Sequence, residues 1–443
     1  MKKLIIIFFI LFVGFQVNAQ NKKWTLQECV VYALENNISI KQSELDVLST
    51  DIEKRDAIGN FLPSINANAG VSENTGLSFD PTTNNASTTT FLSANGGINI
   101  GYTLFDGLRN IRQVQRAKIS RLASEYRLDK MKDDISLFVA NGYLQALLNK
   151  ANLAAVLAQN EVTKEQISRT QNLVDAGVLP KGDLLEIQAT DASEMQRIAV
   201  AENSVRISLV SLAQLLLIKE YETFDIADDD YNIIDGGMAE KPVDELINAA
   251  KENRNEVKIA KANLELAEKD VQIAKGALLP TISANFGYNT RYSDAGIDAL
   301  PFNEQLYIND GVGYGLSLSV PILNGFSAKN NVSRNKINLE RTQFQLEQAE
   351  LDLESNVYQA YVDAKGALAS YEAALKALES QTLAYEYARN RYDVGLTNAF
   401  DFSQSKFRLD NATIEVNRSK YDYIFKLKVL ELYFGVPATE LKF

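Results

Sequence analysis

Histidine is absent from the whole 443-residue chain. That excludes His-based catalytic triads, the usual imidazole metal sites and the common proton shuttle near neutral pH. Cysteine occurs once, at Cys29, so neither an intrachain disulfide nor a thiolate metal cluster can form. Basic residues are outnumbered 45 to 57, for a formal net charge of -12, which argues against nucleic acid or an anionic lipid surface as the main partner. With so few catalytic groups, the chain is expected to build a shape and not to run a reaction. No enzyme activity, catalytic residue, cofactor or metal site is expected.

Long apolar runs are missing as well, apart from one. Lys2 and Lys3 precede the stretch Leu4 to Val13, and Val17-Asn18-Ala19 supplies small residues at cleavage positions. The run is too short to span a bilayer comfortably. Residues 1–19 therefore read as a secretory signal cut after Ala19. Gln20, not a cysteine, follows the cut, so the mature protein is expected to be unlipidated.

What is present is a duplication. Asp175-Ala176-Gly177-Val178-Leu179-Pro180-Lys181-Gly182-Asp183 reads as a tight turn between two long helices. Gly177 suits the left-handed end of a helix, Pro180 cannot continue it, and Asp183 reads as the cap of the next one. The construction returns at Asp393 to Asp401, with Gly395 in the place of Gly177 and Asp401 in the place of Asp183. Both pairs are 218 positions apart.

The same order of segments fills each half. Thr25 and Glu28 form a capping-box signature before a helix to Asn36, and a second helix runs to about Gly59. Val243 to Asn253 repeats Leu26 to Asn36. After Leu62-Pro63 the pattern alternates: Ile65, Ala67, Ala69 and Val71 face away from Ser64, Asn66, Asn68, Gly70 and Ser72. Strands are expected at about 64–79 and 91–104, with a Thr/Asn/Ser-rich loop from Gly76 to Thr90. In the second half they fall at about 281–292 and 311–323, after Leu279-Pro280. Long helices follow each pair. On the first, Leu144, Leu148, Ala151, Ala155 and Ala158 form a seam. On the second, the stripe is Leu368, Tyr371, Leu375, Leu378, Thr382 and Tyr385. At about 1.5 Å per residue each long helix reaches roughly 100 Å. After the tips, helix is expected from Asp183 to about Ile218 and from Asp401 to about Phe434. The resulting division is 20–220 for the first repeat, 221–242 for an acidic linker, and 243–443 for the second.

Strands with one apolar face and one face of Ser, Asn, Thr and Gly suit lipid on one side and a wet lumen on the other. Open sheet edges cannot lie in hydrocarbon, and a membrane barrel needs at least about eight strands. Several chains must therefore pool their strands.

In this order and with this doubling, the motifs resemble the TolC-like outer membrane efflux protein family. They are the cleaved signal, the Leu-Pro-x-Ile strand entries and the paired Asp-x-Gly-(x)5-Asp tips. The resemblance covers about Trp24 to Gly435. It implies a mainly α fold with a membrane β-barrel part, built as a homotrimer whose twelve-stranded outer membrane barrel continues as a periplasmic α-helical tube. It further implies an exit duct of a tripartite efflux or type I secretion system. Its partners would be a periplasmic adaptor (membrane fusion protein), an inner-membrane RND or ABC pump and outer membrane lipid, with no nucleic acid.

The resemblance also implies that the tips form the periplasmic entrance and the adaptor docking site. Carried onto this chain, the residues are Gly177, Asp183, Glu186, Tyr392, Gly395, Thr397, Asp401 and Gln404. Thr397 stands where some members have a gating arginine, and Gln404 stands at a family aspartate-ring position. Glu186 could supply acidity from the first repeat instead. The bland reading of Asp183 and Asp401 is that they only cap helices. Asp228-Asp229-Asp230 reads as a solvated acidic bulge and not a calcium loop, and Phe443 carries little weight. Tyr358, Tyr361, Tyr371 and Tyr385 read as packing residues. The alternative to a channel is a periplasmic coiled-coil adaptor or scaffold, which would show one helical hairpin where this chain shows two.

Overall fold

The computed structural model describes residues 22–80, 85–227, 241–294 and 300–436. The signal segment, the Asp228-Asp229-Asp230 run and Phe443 lie outside them. The elements in order are β1 (Lys23–Trp24), α1 (Leu26–Asn36), α2 (Ile38–Gly59), β2 (Ser64–Asp80), β3 (Asn85–Phe105), α3 (Arg109–Asp175) and α4 (Lys181–Leu215). There follow β4 (Asp225–Ile226), α5 (Val243–Asn253), α6 (Asn255–Gly276), β5 (Thr281–Ser293), α7 (Phe302–Ile308), β6 (Gly311–Ser319), α8 (Ser327–Asp393) and α9 (Ala399–Phe434).

The duplication holds helix by helix for the paired helices. α1 and α5 each have 11 residues, α2 and α6 each 22, and α3 and α8 each 67. Left-handed backbone recurs in pairs as well: Gly107 with Gly325, Leu108 with Phe326, Gly177 with Gly395, and Leu217 with Gly435. Leu217 holds φ 61° where the second repeat places a glycine at φ 102°. A Cβ there strains the backbone, on the order of 1 kcal/mol.

The chain divides into two compact units. One is built on a four-stranded antiparallel sheet of order β2-β3-β5-β6. Its register carries the sequence alternation straight across the strands. Ile65 pairs Ile100, which pairs Phe286, which pairs Tyr314; one step away, Asn66, Asn99, Gly287 and Gly313 are aligned. One face is thus mainly apolar from edge to edge up to the level of Val71, Ala94 and Tyr292, beyond which Glu73 and Thr75 follow on it; the other is amide, hydroxyl and glycine, with Arg291 beside Asn95. Side chains on the polar face pair across strands, as in the Ser283–Ser317 hydroxyl contact of 2.7 Å and the Asn99–Asn68 bond of 3.0 Å.

Two strand expectations need correction. The segment from Gly76 to Thr90 is mostly ladder and not loop: Gly76 pairs Thr89, and the Thr75 and Thr90 hydroxyls meet at 2.8 Å. Threonine is β-branched, which favours a strand, and across a ladder its hydroxyl finds a partner. In the second half β6 stops at Ser319, short of 323, because Pro321 has no N–H to give a ladder. A bulge next to Leu104 lets Phe105 pair Ile282.

The other unit is helical. Its core gathers Leu26, Cys29, Val30 and Ala33 of α1, Val139, Tyr143, Leu144 and Leu147 of α3, Leu209 and Leu212 of α4, and Ile424 of α9. The Thr25–Glu28 capping box is present, with both reciprocal bonds made. β1 and β4 form a short parallel pair, and the Tyr143 hydroxyl lies 3.2 Å from the carbonyls of both Trp24 and Ala227. Burial in this core raises the Cys29 thiol to about 12, so it stays an inert hydrophobe. The α3 seam departs from expectation at its far end: Ala158 is exposed, and the buried stripe runs through Val156, Asn160, Thr163, Gln166 and Thr170. On α8 the buried positions include Leu353, Val357, Ala364, Ala367, Ala374 and Tyr392, while Leu375 and Tyr358 are exposed.

Candidate functional site

Both hairpin tips close in the same way. Gly177 ends α3 at φ 73°, with Val178 N–H bonding to the Leu173 carbonyl at 2.8 Å and Gly177 N–H to Val174 at 2.9 Å. Gly395 ends α8 at φ 75°, with Leu396 bonding to Arg391 at 2.8 Å and Gly395 to Tyr392 at 3.0 Å. This is the Schellman arrangement, which satisfies the last carbonyls and needs a residue without a Cβ penalty at the turn.

The aspartates are not the caps. α4 begins at Lys181 with Pro180 before it, and Asp183 sits inside its first turn. Pro180 itself holds the N-cap position in an extended conformation, with no side-chain cap bond, so the helix starts two residues before Asp183. α9 begins at Ala399; its cap is Asn398, whose side chain accepts from the Asp401 N–H at 2.8 Å. The Asp401 carboxylate instead accepts from the Thr397 hydroxyl at 3.1 Å. Both acids remain where a helix N-terminus favours negative charge. Glu186 and Gln404 are exposed, one turn further along their helices.

Tyr392 joins the two repeats at the tips. It is 1% exposed, stacks on Phe402 with ring centroids 5.1 Å apart, and packs with Ile187 of α4 and Ala399 of α9. Its hydroxyl lies 3.2 Å from that of Thr170, and burial raises its pKa. Beside it, Arg169 donates to Asp393 at 2.9 Å. Of the eight tip residues expected from the sequence, Tyr392 alone is buried in this cluster; the others line the turns around it.

A second constellation was not anticipated. Further along the hairpins, Lys406 of α9 bonds to Glu194 of α4 and lies 3.5 Å from Asp410, and all three are buried. Asn160 of α3 donates to Glu194 at 3.1 Å and to Asp191 at 2.8 Å. Two carboxylates share one ammonium here. Burial therefore raises the Asp410 carboxyl to about 6 against the pull of Lys406. The only trace in the sequence is polar residues at seam spacing, where Asn160 interrupts the apolar stripe and Lys406 precedes Asp410 by four. Among the described residues no group of acids could hold a metal ion, and no helix is long and apolar enough to cross a membrane.

The family described as outer membrane efflux protein matches the chain over residues 30–216 and 246–436, one match per repeat. Protein CyaE of Bordetella pertussis is 25% identical over 383 residues, covering 84% of this chain and 75% of its own. Outer membrane protein TolC of Vibrio cholerae is 24% identical over 299 residues, covering 67% of this chain and 66% of its own. The crystal structure of the CmeC outer membrane channel of Campylobacter jejuni superposes with a TM-score of 0.79 at 18% identity, over 94% of this chain and 86% of that one.

Proposed function

The chain belongs to the outer membrane efflux protein family, and we propose that it works as the trimeric exit duct of an efflux or type I secretion system. As a family member it is an efflux channel of the outer membrane.

The observation that carries the reading is the sheet. It has one apolar face, one lumen-like face, and outer edges on β2 and β6 that pair with nothing among the described residues. Each unpaired backbone group in hydrocarbon costs several kcal/mol. Joining β6 of one copy to β2 of the next around a closed ring removes every edge, and the three copies that the family resemblance implies make a twelve-stranded barrel. The hairpin tips then form the periplasmic entrance, with Gly177, Asp183, Glu186, Tyr392, Gly395, Thr397, Asp401 and Gln404 around it. The same tips meet a periplasmic adaptor, and through it an RND or ABC pump of the inner membrane.

Native mass measurement on protein extracted gently from the outer membrane tests this directly. Trimers are expected. A stable monomer with its strands intact would sink the pooled barrel.

A further inference from the structure

The apolar face of the sheet ends at a definable height. On β5, Ile282, Ala284, Phe286, Tyr288, Thr290 and Tyr292 share it. From Ile282 to Tyr292 the strand rises about 33 Å. At the tilt of about 40° usual in membrane barrels this projects to roughly 25 Å, the height of an apolar band. Tyr292 therefore stands at the outer limit of the hydrocarbon, at the end of β5 remote from α6.

α7 is pinned at that level and on that face. The Thr290 hydroxyl donates to the Leu306 carbonyl at 2.6 Å, and the Phe302 ring meets Tyr292 edge-on at 5.0 Å. The buried Gln305 amide donates to the carbonyls of Ser293 at 2.9 Å and Leu300 at 2.8 Å, and accepts from the Ser293 N–H at 3.0 Å. With Gln305 turned inward, Phe302, Tyr307 and Ile308 are left 52%, 84% and 61% exposed. Among the described residues the first repeat shows no counterpart: toward its β2–β3 end stand Thr88, Thr89 and Thr90.

We propose that α7 is an interfacial anchor, with Phe302, Tyr307 and Ile308 seated in outer-leaflet lipid at the boundary between acyl chains and headgroups. The surface is continuous with the lipid-facing side of the sheet. Aromatic rings favour this depth because the ring body is apolar while a tyrosine hydroxyl stays in the wet headgroup layer. Glu304, three and four residues before Tyr307 and Ile308, shares their exposed face, and at the boundary depth its carboxylate, like that of the exposed Asp310, reaches the wet headgroup layer. The inference rests on the membrane reading above. It adds that one short helix per copy fixes the barrel's height in the bilayer.

Full-length protein carrying Tyr307→Trp, Ile308→Trp or Phe286→Trp can be reconstituted into phosphatidylcholine vesicles. The lipids are brominated either near the carbonyl end or near the methyl end of the chains. Emission from Trp24 is subtracted using the unsubstituted protein. Shallow bromine should quench Tyr307→Trp and Ile308→Trp at least about twofold more than deep bromine, with the order reversed for Phe286→Trp. If Phe286→Trp is quenched but both α7 variants escape, the helix faces water or a second copy, and the anchor is overturned with the barrel intact. If Phe286→Trp escapes as well, the sheet is not in lipid and the underlying reading fails with it.

Discussion

The hydroxyls of Thr170 and Tyr392 lie 3.2 Å apart, one from the last turns of each long helix, and tie the first repeat to the second at the tips. Both residues are buried, Thr170 completely. Tyr392→Phe keeps the stack on Phe402 and removes only the bond, at a cost of about 0.5–1.5 kcal/mol. The tip should loosen, and single-channel conductance in planar bilayers should rise while trimer yield stays constant. Unchanged conductance would remove Tyr392 from the gate.

Gly395→Val tests the turn itself. A Cβ at Gly395 meets nothing within 4 Å, so the substitution carries no clash beyond the backbone strain of φ 75°. That strain is about 1–2 kcal/mol and tilts one hairpin helix against the other. Normal trimer in the outer membrane with defective export is expected. Trimer and export falling together would make the glycine a folding residue only.

The strand faces give a paired test. Leu316 shares its face with Ala284 and Tyr102, whereas Ser317 pairs Ser283 on the polar side. Leu316→Asp places a charge in hydrocarbon and should cost on the order of 1–3 kcal/mol of insertion. Ser317→Asp should insert normally, as read by heat-modifiable trimer on gels. Equal behaviour of the two refutes the register.

The buried Glu194–Lys406–Asp410 group predicts a local pH dependence. Asp410 has a folded pKa of about 6, above the ordinary carboxylate value of 3.8, so the folded state holds its proton more tightly. Its stabilising share is therefore present below the ordinary value and is lost as pH rises through about 6. Hydrogen-exchange protection in α4 and α9, corrected for intrinsic rates, should increase on going from neutral pH to 5. In Asp410→Asn that increase should vanish. Lys406→Met strands two carboxylates and should cost about 3–5 kcal/mol. A pH response that survives Asp410→Asn would assign the titration elsewhere.

Much of the architecture was legible because it is written in periods. Alternation places Ile65, Ile100, Phe286 and Tyr314 on one face whatever their neighbours, since a strand turns its side chains out two by two. The offset of 218 positions placed both glycine turns, because only a residue free to adopt positive φ closes such a helix end. The caps were misread for a related reason. Aspartate caps well in isolation, yet Pro180 and Asn398 stood earlier in the chain and took the position first.

The sequence by itself thus determined the repeats, the two faces of the sheet, the helical hairpins and the place of the tips. Each is a local property, set by backbone sterics and side-chain period. Only the tertiary structure decided that Tyr392 reaches Thr170, that Lys406 lies between Glu194 and Asp410, and that α7 rests on the face of Tyr292. Those contacts join residues distant in the chain, and spacing along one helix cannot say which side chains of another will meet it. Where the partners are polar, the outcome turns on a few ångströms of register, because a buried charge is tolerated only when its counterpart is within reach.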